Sequence, residues 1–283
     1  MTSPLSTPRL SIVIVTYNST ADIDACLGSL VQHPPSTDHE IVVVDNASTD
    51  GTAAAVRSRW RDVRVIDAGA NVGFARANNV GIQQTFGSLI LLLNPDTSVA
   101  AGSLDTLVAA LDARPDVAVV GPRLVDANRR VELSFGRMLS PLAELRQKFL
   151  VECARHTGPV AAYVESITRK PREVHWVSGA CLLVRRADAE AVGLMDERFF
   201  MYAEDVDFCA SIRARGRRVL FCPTAEVTHL RGRSRATASA ATERAYRRSQ
   251  LAFYEKHHSG WVPWLRWYLK VRGRLPDNPT SDG

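Results

Sequence analysis

Four short apolar runs in the first hundred residues constrain this chain more than any other feature. They are "LSIVIV" (10–15), "EIVVVD" (40–45), "VRVID" (63–67) and "LILLL" (89–93), mostly β-branched or leucine and apolar at consecutive positions. Neighbouring residues of a strand point to opposite faces, so a run that is apolar throughout needs cover on both. The intervening segments supply that cover. Ile23, Cys26, Leu27, Leu30 and Val31 recur at helical spacing, and an alanine-rich stretch runs to Trp60. The alternation predicts an α/β fold, a mostly parallel central sheet flanked by helices.

Further along, "DVAVVGPRLV" (116–125) reads as a strand, "VDANRRVEL" as a hairpin-like turn and "VHWVSGACLLVRR" (174–186) as strand again. "RRVLFCPTAEVTHL" (217–230) supplies one or two more, and helices are expected to begin near Ala100 and near Ala203. Residues 137–172 have weak periodicity and no motif, whereas the last fifty read as helical, basic and aromatic.

Each early strand ends in polar residues: Thr16, Tyr17 and Asn18; Asp45 and Asn46; Asn71 and Gly73; Asn94 and Asp96. One aspartate at a strand end is most often a cap for the next helix. Four polar ends in succession predict a ligand cleft, because open parallel sheets bind ligands outside the carboxyl ends of their strands. The turn after the first strand is no G-x-G-x-x-G, and no G-x-x-x-x-G-K-[ST] occurs, which disfavours dinucleotide-dependent hydride transfer and P-loop chemistry.

The fourth strand cannot continue past Pro95, which lacks an N–H and holds Asn94 extended. The break presents Asp96 either as a cap for the helix near Ala100 or, with Asn94, as a ligand for a hard divalent cation shared with substrate phosphates. In "FFMYAEDVDFCASIRARG" (199–216), helical spacing puts Asp205 on one face with Phe208 or Cys209 and Ile212, aimed inward, with Glu204 beside it. Acids in a first helical turn also complement the macrodipole without any catalytic role.

Cys26, Cys153, Cys181, Cys209 and Cys222 are odd in number and scattered, which fits a reducing compartment better than a disulfide framework. "MTSPLSTPRL" has no apolar core of a signal peptide, and no stretch approaches the ~20 apolar residues of a membrane span, so a cytoplasmic protein is expected. The net charge of +5 does not point to nucleic acid. The basic residues from Arg213 onward, Arg215, Arg217, Arg218, Arg231, Arg233, Arg235, Arg244, Arg247 and Arg248 among them, suit an anionic partner or a solvated basic helix.

Together "SIVIVTYNS", "VVVDNASTDGT", "NVGFARANN", "LLLNPDT", "VSGACLLVRR" and "FMYAEDVDFCASIRARG", in order from Ser11 to about Ser234, resemble a family 2 glycosyltransferase of GT-A fold. More narrowly they are similar to its bacterial rhamnosyltransferase-like branch. The resemblance implies a GT-A domain over 1–235, with a nucleotide-binding half of about 1–125 and an acceptor half of about 126–235, then a basic aromatic helical tail over 236–283. It also implies inverting transfer of a sugar from a nucleotide-diphosphate donor to a hydroxyl of a cell-envelope or polysaccharide glycan, some of them lipid-linked. dTDP-rhamnose is the first expectation for the donor and a UDP-sugar the second.

On the same resemblance, Thr16, Tyr17, Asn18, Asp45 and Asn46 would hold the nucleoside, and Asn71, Gly73, Phe74 and Asn78 the ribose and diphosphate. Asn94 and Asp96 match a D-x-D metal motif whose first acid is here an amide; Gly179 and Ala180 would also line the donor site. Asp96 and His229 would face a divalent cation, Mg²⁺ or Mn²⁺, and Asp205, paired with Glu204, would be the general base. A non-catalytic sugar-nucleotide-binding protein is the alternative. Phe253, Trp261, Trp264, Trp267 and Tyr268 among the tail's arginines and lysines suit a membrane interface or packing on the domain; the oligomeric state stays open.

Overall fold

The computed structural model describes residues 7–156, 158–230 and 240–276. Its first part runs β1 (Leu10–Thr16), α1 (Thr20–Gln32), β2 (His39–Asp45), α2 (Thr52–Arg59), β3 (Arg64–Asp67), α3 (Phe74–Gln83) and β4 (Leu89–Leu93). Then come β5 (Thr97–Val99), α4 (Ser103–Asp112), β6 (Val117–Val125), β7 (Phe135–Gly136), α5 (Pro141–His156) and α6 (Gly158–Ile167). The last part holds β8 (Arg172–Val174), β9 (Trp176–Val177), β10 (Cys181–Arg185), α7 (Arg186–Ala191), α8 (Glu204–Ala214) and β11 (Arg218–His229). Two further helices follow, α9 (Ala240–His257) and α10 (Val262–Val271).

One sheet has the order β3-β2-β1-β4-β10-β6-β11-β5, with β8 on β11; β7 and β9 form a separate ribbon. β3, β2, β1 and β4 are parallel throughout. Alternate residues of these strands feed two cores. Leu10, Ile12, Ile14, Leu89, Leu91 and Leu93 pack under α1, α2 and α4, while Val13, Val15, Ile90 and Leu92 pack with α3, α7 and α8. Each such burial is worth roughly 1.5–3 kcal/mol, against about 1–2 kcal/mol of backbone entropy per ordered residue. A strand covered on one face alone would gain from only half its side chains, which is why these runs demand two helical layers.

The second half departs from the expectation at three points. The segment 174–186 is no single strand: it breaks into the end of β8, then β9 and β10, and β10 runs antiparallel to both β4 and β6. The cause is where the chain returns. The Asn94 N–H donates to Ala180 O, so β10 starts beside the carboxyl end of β4 and can only run back along it. Residues 137–172, read as featureless, are largely helical: α5 and α6. Finally, β5 intervenes before α4, which starts at Ser103 rather than near Ala100.

Candidate active site

The polar strand ends do gather along one edge. Thr16 and Asp45, partners in the β1–β2 register, are both buried, and the Thr16 hydroxyl donates to Asp45 Oδ1 at 3.2 Å. Asn46 is the hub of the next layer. Its amide oxygen accepts from the Val72 N–H at 2.9 Å, and its Nδ2 donates to Asn71 Oδ1 at 2.9 Å. Asn18, at φ 52°, accepts from the Thr49 N–H at 2.8 Å, which ties the β1–α1 loop to the β2–α2 loop. Tyr17 is half exposed over this rim. Asp50 fastens the same two loops, accepting from the Thr20 and Thr52 N–H groups. Burial pushes its carboxyl up, but these hydrogen bonds with those of the two hydroxyls hold it at about 2.

Gly73 opens α3 at φ 86°, a left-handed conformation that favours glycine. A Cβ there would lie 2.6 Å from Phe200 O and 2.8 Å from Phe200 Cδ2, so a side chain would expel the 195–203 loop. Without one, the Phe74 N–H reaches Phe200 O at 2.6 Å. Asn78 is buried one turn on, and its Nδ2 donates to Phe74 O at 2.9 Å.

Beyond Pro95 the chain turns at once into β5. Thr97 closes the turn, its hydroxyl donating to Asn94 O at 2.7 Å, and Asp96 O accepts from the Leu230 N–H at 2.8 Å. Asp96 therefore caps no helix. His229 Nε2 lies 3.3 Å from Asp96 Oδ1, and Nδ1 lies 3.1 Å from Glu132 Oε2. Burial pushes this imidazole down, yet the two carboxylates outweigh it and raise its pKa above the ordinary value. Asn94 Oδ1 is buried and accepts no hydrogen bond.

For a divalent cation the available donors are thus the Asp96 carboxylate, the His229 imidazole and the orphaned Asn94 oxygen. Among the described residues no three or more His, Cys, Asp or Glu side chains form a cage of their own. This set fits an ion whose remaining ligands are substrate oxygens.

Asp205 sits across the Ser178–Ala180 turn from β4. Its Oδ2 accepts from the Gly179 N–H at 2.9 Å and its Oδ1 from the Val206 N–H at 2.8 Å. A Cβ on Gly179 would be 3.4 Å from Asp205 Cβ and 3.5 Å from Phe74 Cε1, so glycine lets the acid, the α3 phenyl ring and the turn close on one another. Ala180 is the residue that pairs with Asn94. One three-residue turn thereby meets Asp205 at Gly179 and, at Ala180, the residue two before Asp96.

The expected burial order of the acid pair is reversed. Glu204 is the buried member, with an unpartnered Oε2, while Asp205 is only half-buried. Burial, and next the Asp205 charge, push the Glu204 carboxyl well above the usual range. Glu204 lies on the buried stripe with Phe208 and Ile212 at i, i+4 and i+8, so it and not Asp205 begins the inner face of α8.

Several contacts here were not foreseen. Glu132, behind His229, comes from a turn whose spacing carries no functional signal. Asn79, in "ARANN", donates to Met195 O at 2.9 Å and accepts from the Met195 N–H at 3.0 Å. Asp207, 1% exposed, takes Lys256 Nζ at 2.8 Å and His257 Nε2 at 2.6 Å, both from α9. The tail's aromatics divide accordingly. Phe253 is fully buried against Phe199 and Val206, a core residue rather than an interfacial one, whereas Trp261, Trp264, Trp267 and Tyr268 are exposed. Its cations divide too: Arg217, Arg218 and Arg247 are held by acids of this chain, and Arg231, Arg233 and Arg235 lie outside the described residues.

Residues 11–193 match the family described as "Glycosyl transferase family 2". The chain is 33% identical to an N-acetylglucosaminyl-diphospho-decaprenol L-rhamnosyltransferase of Mycobacterium tuberculosis, over 93% of this chain and 90% of that one. It is similar in fold to a mannosyltransferase of Pyrobaculum calidifontis solved with GDP-Man and Mn²⁺, with TM-score 0.62 and 19% identity over 97% of this chain and 78% of that one. A second solved structure, GalNAc-T7 with UDP, GalNAc and Mn²⁺, has TM-score 0.60 and 17% identity over 98% and 60%.

Proposed function

The chain belongs to glycosyl transferase family 2, has the GT-A fold and is a glycosyltransferase, and from that premise we propose that it moves rhamnose from dTDP-rhamnose to an N-acetylglucosaminyl diphosphate lipid. The observation that supports the catalytic reading is that one short turn, Ser178–Ala180, meets Asp205 at Gly179 and the end of β4, two residues before Asp96, at Ala180. The polar ends of β1, β2 and β3 bind the nucleoside and ribose, and Asn94, Asp96 and His229 hold the cation. When bound, that cation offsets negative charge on the departing diphosphate.

Asp205 accepts the proton of the acceptor hydroxyl as its oxygen attacks the anomeric carbon from the face opposite the diphosphate, which inverts the centre. Two backbone N–H donors orient its carboxylate. Burial, and next the Asp205 charge, push the Glu204 carboxyl well above the usual range, which makes it the less readily ionised of the pair.

The donor is tested with a panel of sugar nucleotides, Mn²⁺ or Mg²⁺, and N-acetylglucosaminyl diphosphate on a short polyprenol. Turnover is expected with dTDP-rhamnose and a divalent ion, and none with chelator. Nucleotide binding without transfer from any donor would replace this reading with that of a sugar-nucleotide-binding protein.

The same reading puts the protein in the cytoplasm, against the inner face of the membrane. No helix among the described residues is long and apolar enough to cross a membrane. Trp264 and Trp267 are 65% and 59% exposed on α10, among Arg266, Lys270 and Arg272. Such a surface suits anionic headgroups. Flotation with phosphatidylglycerol vesicles is expected for the native chain and reduced for the Trp264→Ser, Trp267→Ser double variant. Equal flotation of both sinks the membrane contact.

A further inference from the structure

The loop Met195–Ala203, which delivers the chain from α7 to the catalytic helix, is fastened far more firmly than a connection requires. Asn79 grips Met195 through both backbone groups, and Lys256 Nζ reaches Asp196 Oδ2 at 2.8 Å. The Phe74 N–H holds Phe200 O at 2.6 Å, and the Ser249 hydroxyl holds Met201 O at 2.7 Å. Phe199 plugs the core beneath it, fully buried with Val206, Phe253 and Tyr254. Four elements, α3, α8, α9 and the core, thus fix one short loop.

The next three side chains turn outward instead. Phe200 is 43% exposed, Met201 36% and Tyr202 41%. Tyr202 and Ala203 both occupy left-handed backbone, φ 71° and 65°, without being glycine. Each such residue costs on the order of 1–2 kcal/mol, so the fold spends stability to hold two aromatic rings at the surface. Neither ring swings freely. Phe200 rests against Gly73, and Tyr202 stands edge-on to Tyr246 with centroids 5.6 Å apart.

This surface adjoins the base. Phe200 touches Gly73, the next residue, Phe74, meets Gly179, and Gly179 meets Asp205. A general base must come within about 2.6–3.2 Å of the hydroxyl it deprotonates. The ring bearing that hydroxyl must therefore lie on the residues flanking Asp205. A pyranose has an apolar C–H face and a polar rim, and an aromatic ring beside a carboxylate matches both.

We propose that Phe200 and Tyr202 form an aromatic shelf, braced from behind by α9, on which the acceptor's N-acetylhexosamine ring lies while Asp205 takes its proton. The identity of that sugar rests on the reading given above. On this view α9 belongs to the acceptor site rather than to an appended tail: Tyr246, Ser249 and Lys256 hold the shelf in place.

The test uses saturation-transfer NMR on the full chain with methyl β-N-acetylglucosaminide as probe, alongside acceptor kinetics. Saturation of the sugar C–H protons is expected for the native protein, Tyr202→Phe and Asp205→Asn, and its loss for Phe200→Ala and Tyr202→Ala. Acceptor KM should rise about tenfold for each alanine variant, with donor KM unchanged in Tyr202→Ala. Should an alanine variant melt early, Phe200→Leu keeps the apolar bulk and removes the ring face. Undiminished saturation in the ring-deleted variants, none in the native protein, or a rise confined to donor KM overturns the shelf. Saturation transfer needs no donor, so absent turnover with dTDP-rhamnose would count against the donor reading alone.

Discussion

Asparagine in place of Asp205 is expected to lower transfer by about 10²–10⁴ while leaving donor binding intact. The substitution keeps the shape of the side chain but removes the group that accepts the proton. One of its two backbone N–H partners loses an acceptor, a cost on the order of 1 kcal/mol that should not unfold the protein. Single-turnover transfer, with nucleotide affinity measured on the same preparation, gives the comparison. Full activity in this variant would disprove the base assignment. Glu204→Gln is the matched control. Its parent carboxyl is buried and pushed well above the ordinary range, so glutamine mimics the neutral form that burial favours and most transfer should survive.

Asp96→Ala is expected to weaken nucleotide binding in the presence of Mn²⁺ by about a hundredfold or more, with little change when the ion is absent. Asp96 is the only carboxylate the β4–β5 turn offers, and Asn94 supplies only a neutral oxygen beside it. Calorimetry with dTDP, with and without Mn²⁺, separates the two conditions. If the ion strengthens binding equally in both proteins, Asp96 does not hold it, and its contact with His229 serves the fold instead.

The polar edge of the sheet was largely legible along the chain. Runs apolar at every position specify strands with two covered faces, and Thr16, Asp45, Asn46, Asn94 and Asp96 follow as the residues at their ends. The break at Pro95 is equally local, since a missing N–H ends a ladder wherever it occurs. The far side was read less well. α5 and α6 have weak periodicity, and 137–172 offered no repeat from which to infer them. The start of α8 was read correctly, but not which acid of its first turn is buried, because Glu204 and Asp205 both lie at i, i+3/i+4 spacing from buried residues.

Sequence alone determined the α/β layering, the polar edge and the two acids, because strand and helix periods are properties of neighbouring residues. Tertiary structure decided that β10 runs against β4, that Glu132 backs His229 across 97 positions, and that Lys256 and His257 reach Asp207 across 49 and 50. Such pairings depend on where distant segments cross, and an isolated charge bears no mark of the partner that will reach it. Burial then made them binding: an acid 1% exposed must find its countercharge from whichever element covers it, and here that element is α9.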